Sequence, residues 1–551
     1  MARAVGRLLV DSLEAHDIDL IYCVPGESYL GFTNALVDNN RMRLIVCRHE
    51  GGAAFMAVAD GRMRGGRAGV CVVSRGPGLS NAMIGLHTAY HDATPLIVLI
   101  GQVERFEAGR MALQEQNYSR LLCDITKLVI EVNEPDQASE AIARAFHIAE
   151  SGTPGPVAII VPEDVFDAET DAPIAKPRPA AQAGPLPDDV DRLAEMLANA
   201  ERPLIWVGTA LRPAEVADLT KLAEEWVLPV MPTHRRPHLF DAFHPNYGGY
   251  MASRVHADTL TEMKKSDLLI ALGERITGSI SQGFTFPAAP DPQIPLVHVW
   301  PDANEVGRVW RPDLGLPCEA AAVVRALLAK GPPANAAKRQ PWVAKLNETH
   351  KRVTKPEWQP TTDGVNFSAV IAEVNKHLTD DATVTSDAGN FATFVHRYLL
   401  MKPGQMFLAS VVGAMGAGMP MGVAACLRRP GTQVIAFAGD GGALMTGNEL
   451  ATARQYGVNP VFIVSDNNCY GTIMQHHDVR YPGRPYQAAT QLTNPDFAIW
   501  ATAFGAKGMT IHDESEIAEV ISEALNTKDR PVVVHVHTSL EQLSAWRRRS
   551  A

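Results

Sequence analysis

Two apolar strands that each end in hard-oxygen residues constrain this chain more than any other feature. Val434-Ile-Ala-Phe-Ala438 runs into Gly439-Asp440-Gly441-Gly442, and Val461 to Val464 runs into Ser465-Asp466-Asn467-Asn468. A helical pattern, Glu449 to Tyr456, lies between them. Strand, helix, strand in that order predicts parallel neighbours joined by a crossover, and open sheets of this kind take ligands at the carboxyl ends of their strands. The glycines let the backbone turn sharply and bring N–H groups to an anion. A carboxylate and a carboxamide are hard ligands suited to Mg²⁺ bridging to a phosphate. The stretch reads as a metal–diphosphate clamp; the plainer alternative is a tight turn followed by an Asx-turn.

The rest of the chain repeats the alternation. Leu20-Ile-Tyr-Cys-Val24 leads into Pro25-Gly26, Leu44 to Cys47 into Arg48-His49-Glu50, and Gly69 to Ser74 into Arg75-Gly76-Pro77-Gly78. Helical segments separate these strands, which predicts a doubly wound parallel sheet. Pro203 to Gly208, Asp267 to Gly273 and Leu296 to Trp300 predict a second sheet, and Thr383 to Ser386 opens a third. Val165 to Pro187 and Lys330 to Pro360 read as linkers. The expected division is 1–168, 185–335 and 361–551. Length alone allows roughly three to four domains.

Composition excludes some functions. With 50 basic and 61 acidic residues the net charge is −11, which gives no electrostatic footprint for nucleic acid. Seven cysteines lie scattered without CxxC spacing, the pattern of reduced thiols in a cytoplasmic protein. The opening MARAVGRLLVDSLEAHD lacks the long apolar core of a signal peptide. Val411 to Leu427, the most apolar stretch, is broken by glycines and Pro420 and predicts a buried loop and helix, so no membrane association is expected. The terminal Arg547-Arg548-Arg549 reads as a solvated end.

GDG, the 25 residues from Gly442 to Asp466, and Asn-Asn together resemble the motif of thiamine-diphosphate enzymes. RHEGGAAFMAVADGRMR (48–64) and SRGPGLSNAMIGLHTAYHDATPLIVLIGQV (74–103) are similar to the acetolactate synthase family throughout. The resemblance implies three parallel-sheet domains: pyrimidine-binding, central and diphosphate-binding. It implies that Gly439, Asp440, Gly441 and Gly442 hold the diphosphate, with Mg²⁺ on Asp440, Asn467 and the Cys469 carbonyl. Asn467 is chosen over Asn468 because Gly471 matches the family glycine four residues after the ligand. It implies Asn390, on a further phosphate-side loop, and Pro25, Gly26, Asn81, Tyr470, Gly471 and Thr472 as cofactor-binding residues. Met415, after Gly413, would bend the cofactor into a V.

Glu50 is implied as the activator. A carboxyl sharing a proton with the aminopyrimidine promotes the tautomer that takes the cofactor's C2 proton; the plainer reading is a helix-start carboxylate favoured by the dipole. Gln114 matches a family glutamine aimed at the reacting carbon. In this superfamily the first domain of one chain faces the last domain of another. A homodimer or homotetramer with shared sites is therefore implied, acting on a 2-oxoacid or aldehyde. The central domain holds FAD or ADP in some relatives and nothing in others; the acidic and arginine positions around a flavin are not clearly reproduced here, so FAD is possible but not expected.

The chain also departs from the pattern. Acetolactate synthases have glycine where Glu27 stands, an aromatic where Leu113 stands, methionine at Thr472 and tryptophan at His476. Glu27 is either a proton donor or acceptor or a turn residue. His476 is either a general acid or base or a helix-surface histidine. Thr233 to His238 either carries positive charge to the site entrance or forms a surface loop. A 2-oxoacid decarboxylase or a hydroxyacyl or aldehyde lyase is the enzymatic alternative, and an inactive cofactor-binding partner subunit the non-enzymatic one.

Overall fold

A computed structural model of the chain describes residues 2–356, 360–484 and 487–549. Three α/β units follow one another, each built on a wholly parallel sheet, as expected. The first sheet runs Arg43–Val46, Leu20–Cys23, Gly69–Val73, Leu96–Gln102, Pro156–Pro162, Leu128–Glu131. The third runs Met406–Ala409, Thr383–Ser386, Val434–Gly439, Val461–Asp466, Val532–His537, Lys507–Ile511. Numbered within its own unit, each sheet has the order 2-1-3-4-6-5. The middle sheet has five strands, with Pro203–Val207 and Leu268–Leu272 at its heart. The inner strands are buried along their whole length because helices cover both faces, which is why they read as continuous Val, Ile and Leu runs.

The outer units pack on each other through helices of small residues. Glu50–Met63 is Gly- and Ala-rich and buried over most of its surface, and it packs with Gly76–His91 and Gly418–Arg428 in one continuous core. Any side chain at Gly85 would overpack this contact, since its Cβ would lie 2.3 Å from the Ala54 Cβ, at a cost of about 1–3 kcal/mol.

Three local expectations are corrected. The segment 330–360 is largely helical, over Ala336–Arg339 and Gln340–Val353, and buries Trp342 and Leu346 against the middle unit; its residues 357–359 lie outside the described residues. The helix between the clamp strands begins at Asp440 itself, not at Glu449, and runs as Asp440–Thr446, Gly447–Glu449 and Leu450–Gln455. The end of the chain is partly paired: Arg548 binds Glu541 at 3.0 Å and Arg549 binds Asp478 at 3.0 Å. Among the described residues no helix is long and apolar enough to cross a membrane, and the cysteines are unbridged.

Candidate active site

In the third sheet the chain runs outward in opposite directions from strands one and three, which places the topological switch between Thr383–Ser386 and Val434–Gly439. Asp387 and Asp440 emerge there, one from each strand. Asp440 is buried. Its Oδ1 accepts the Gly441 N–H at 2.8 Å, and its Oδ2 accepts the Cys469 N–H at 3.1 Å and the Asn494 amide at 2.9 Å. The same Asn494 amide reaches Asp466 Oδ1 at 2.8 Å, so one side chain bridges the two carboxylates. Burial, with Asp466 alongside, pushes the Asp440 carboxyl up to about 7. Asp466 is held low despite its burial by His535 Nε2, at 2.8 Å, and by the Asn468 and Asn494 N–H groups.

The glycines of the clamp make room for protein groups as well as for a ligand. A Cβ on Gly441 would lie 2.5 Å from the Tyr470 ring, and one on Gly442 would lie 2.0 Å from Asp387 Oδ2. Asp387 is buried and its carboxyl is pushed up to about 6. It accepts the Gly416 N–H at 2.8 and 2.9 Å and the Ala388 N–H at 2.7 Å. It thereby fixes the loop carrying Gly413, at φ 76°, and the half-buried Met415. Asn390 ties its own loop to the helix Gly471–Arg480: its amide donates to the Gly471 carbonyl and to Gln475 Oε1, both at 3.1 Å, and its oxygen accepts Thr472 Oγ1–H at 3.1 Å.

These residues fit a divalent cation. Asn467 Oδ1 is buried with no hydrogen-bond partner, a cost that a metal bond would remove. Asp440 and Asp466 are neighbouring buried carboxylates bridged by the Asn494 amide, and hard oxygen donors are what Mg²⁺ takes. The Cys469 carbonyl accepts the Gly471 N–H at 2.8 Å, and its second lone pair remains for a ligand.

On the first unit Glu50 opens its helix, half-buried, with Oε2 accepting the Asn81 amide at 2.9 Å; His49 Nδ1 caps the same turn by accepting the Gly51 N–H at 3.0 Å. Gly26 lies against Ser74, Pro25 and Glu27 are exposed, and Gln114 is exposed at φ 65° beside Met111 at φ 59°. His476 is exposed on Gly471–Arg480. The structure thus gathers Asp440, Asn467, Cys469, Tyr470, Thr472, Asn390 and Met415 at the end of one sheet. Glu50 and Asn81, with Gly26, lie at the end of another.

Thr233–His238 is not a surface loop. Each of its residues is buried, and Arg235 Nη1 donates to the Asp387 carbonyl at 3.2 Å, while Arg236 donates to Thr209 Oγ1 at 3.0 Å. In the middle unit a buried carboxyl, Glu274, fills the strand end at Gly208. It accepts Thr233 Oγ1–H, and burial pushes it up to about 7.

Sequence reasoning missed Asn494, Gln475 and Glu274. Asn494 lies in a stretch without regular structure, and only Pro495 beside it signals a turn.

Three family models match the chain. The N-terminal TPP binding domain of thiamine pyrophosphate enzymes matches residues 3–121, the central domain residues 190–327, and the C-terminal TPP binding domain residues 387–536. A probable acetolactate synthase large subunit of Methanocaldococcus jannaschii is 31% identical over 94% of this chain and 89% of its own length. An acetolactate synthase large subunit of Parasynechococcus marenigrum is 30% identical over 96% and 86%. The acetolactate synthase isozyme 1 large subunit of Escherichia coli K12 is 29% identical over 97% and 94%.

Proposed function

The chain belongs to the thiamine pyrophosphate enzymes, as an acetolactate synthase-like member, and from that premise we propose a Mg²⁺-dependent enzyme that decarboxylates a 2-oxoacid and joins the retained acyl carbon to a second carbonyl. The observation that carries this reading is the buried, unpartnered Asn467 Oδ1, two residues before Cys469, whose N–H binds the buried Asp440 carboxylate. Asp440, Asn467 and the Cys469 carbonyl would hold the metal, and the N–H groups at the start of the Asp440 helix would bind the diphosphate. Met415, whose loop is fixed through Gly416 and Asp387, would line the cofactor's pocket.

When bound, thiamine diphosphate supplies the electron sink that makes loss of CO₂ from a 2-oxoacid feasible. The protein's part is positioning and proton movement. Glu50, oriented by Asn81, exchanges a proton at the pyrimidine ring nitrogen. Its cofactor is held by the Asp440 clamp of a second copy, so the active unit is at least a homodimer. The exposed apolar residues Met111, Leu113, Leu444, Met445 and Ile473, on segments around the two half-sites, support that assembly. Gln114, Glu27 and His476, exposed in one chain, then line the shared pocket and select the acceptor.

Incubation with pyruvate, thiamine diphosphate and Mg²⁺, followed by product analysis, tests the reading. A carbon–carbon product such as acetolactate is expected. Free aldehyde alone would replace it with a simple decarboxylase. No turnover of pyruvate, benzoylformate, oxalyl-CoA or aldehydes would reduce the chain to a cofactor-binding partner.

A further inference from the structure

Glu449 is the most completely buried carboxylate of the third unit, at 0% exposure, and every group it binds but one belongs to the first unit. Its Oε1 accepts the backbone N–H of Arg48 and of His49, each at 3.0 Å; its Oε2 accepts the Arg48 N–H at 3.2 Å and Thr452 Oγ1–H at 2.6 Å. Arg48 and His49 are the two residues directly before Glu50. A helix start leaves its N–H groups without intrahelical partners, and a carboxylate there is favoured by the helix dipole and by charge-assisted hydrogen bonds. The approach is built in. Gly52, on the first turn of the Glu50 helix, leaves the space Glu449 occupies, because a Cβ there would lie 2.4 Å from Glu449 Oε1.

The neighbours of Glu449 on the same helical segment hold the strand that feeds Glu50. The Tyr456 hydroxyl accepts the Val46 N–H at 2.7 Å and donates to the Leu44 carbonyl at 3.1 Å, along the open edge of Arg43–Val46. Gln455 Oε1 accepts from Arg48 Nη2 at 2.6 Å. Residues 449–456 therefore fix the whole path from Leu44 to His49.

We propose that Glu449 is a positioning residue for the proton transfer made by Glu50: it sets where the Glu50 carboxyl points by clamping the two peptide groups before it. This rests on the reading of Glu50 given above. A carboxylate that served only to join two domains would have no reason to bind the two N–H groups next to that residue, while Thr452 and two main-chain donors satisfy it completely.

The test uses the full-length chain loaded with thiamine diphosphate and Mg²⁺, and follows replacement of the cofactor's C2 proton by solvent deuterium by NMR. In Glu449→Gln the exchange is expected to slow by roughly 10- to 100-fold, the loss a misplacement of about 1 Å brings. Cofactor affinity by calorimetry should stay within a few-fold, and Glu449→Ala should be slower than Glu449→Gln. Amide exchange at Arg48 and His49 should rise in both variants. Gly52→Ala provides a second route, since its methyl displaces the Glu449 carboxylate without removing a charge, and it should slow C2 exchange in the same way. Unaltered C2 exchange in Glu449→Gln and Gly52→Ala, with Glu50→Gln slow, overturns the role of Glu449 alone. Unaltered exchange in Glu50→Gln as well overturns the reading of Glu50 on which it rests.

Discussion

The first and last units share one strand order, yet their strand ends carry opposite chemistry. After the third strand of the first sheet the chain enters Gly76-Pro77-Gly78 and a helix; after the third strand of the last it enters Gly439-Asp440-Gly441 and a helix. The same turn carries a buried arginine, Arg75, paired with Glu163 in one, and a buried carboxylate in the other. After the second strand the first sheet presents Glu50, whereas the last presents the loop to Met415. On the proposed reading, two copies of one architecture divide the work: one moves a proton, the other holds charge. The lesson is that the fold supplies positions, strand ends around a switch point, and the residue placed at each position supplies the chemistry.

Breaking the charge-holding half has the largest expected effect. Asp440→Ala removes a metal ligand and should abolish thiamine diphosphate retention by calorimetry at concentrations that saturate the unaltered chain; unchanged binding would remove the clamp from the last unit. Breaking the proton-moving half should leave binding intact. Glu50→Gln is expected to lose about 10²–10⁴ in turnover, the range for a general acid or base, and wild-type rates would erase the division of labour.

Asn494→Ala sharpens the description of the clamp, because its amide bridges Asp440 and Asp466 without joining the proposed ligands. Mg²⁺ affinity should fall about 10- to 100-fold, as for other groups that orient a ligand. An unchanged magnesium titration would make that bridge dispensable.

The charge pair also predicts a pH signature. The folded Asp440 carboxyl stands at about 7, above the ordinary aspartate value of the unfolded chain. Its contribution to metal-free stability is therefore complete below the ordinary value and is lost as pH rises through about 7. The melting temperature of the metal-free protein should drop over that interval. Asp440→Asn should lessen the drop, to which the raised Asp387 and Glu274 carboxyls also contribute, and Mg²⁺ should reverse the share of Asp440. The smallest effects belong to the entrance: Glu27→Gln and His476→Gln should shift KM or product ratio by less than about tenfold with cofactor affinity unchanged, and equal kinetics would place both outside the pocket.

Much of the architecture was legible in the sequence because parallel strands buried on both faces are written as unbroken apolar runs, and because Val434 to Asn468 contains both clamp strands in one local stretch. What the sequence hid depended on contacts between distant segments. Asn494 sits 28 positions from Asp466 and reaches it from an irregular segment that carries no periodic signal. Glu449 looked like the first residue of a helix, and its role appears only when the first unit is packed against it, some 400 positions away. The run Thr233 to His238, with two arginines and two histidines, has the composition of an exposed loop. It is buried because main-chain carbonyls of the last unit and Thr209 accept its guanidinium protons. Lys330 to Pro360 read as a linker because its prolines and lysines mask a helix that buries Trp342.

That arginine loop bears on how such a chain can be cut and recombined. Arg235 reaches from the middle unit into the Asp387 turn of the last, and Arg62 and Asp92 of the first unit meet the Ala409 carbonyl and the Val411 N–H close by. The three units are therefore not interchangeable cassettes. A chimaera that imports a foreign middle unit inherits a mismatched keystone unless residues 233–238 travel with the host's own 386–387. Truncation to the outer units alone would uncover the Ser386 and Asp387 carbonyls that Arg235 meets.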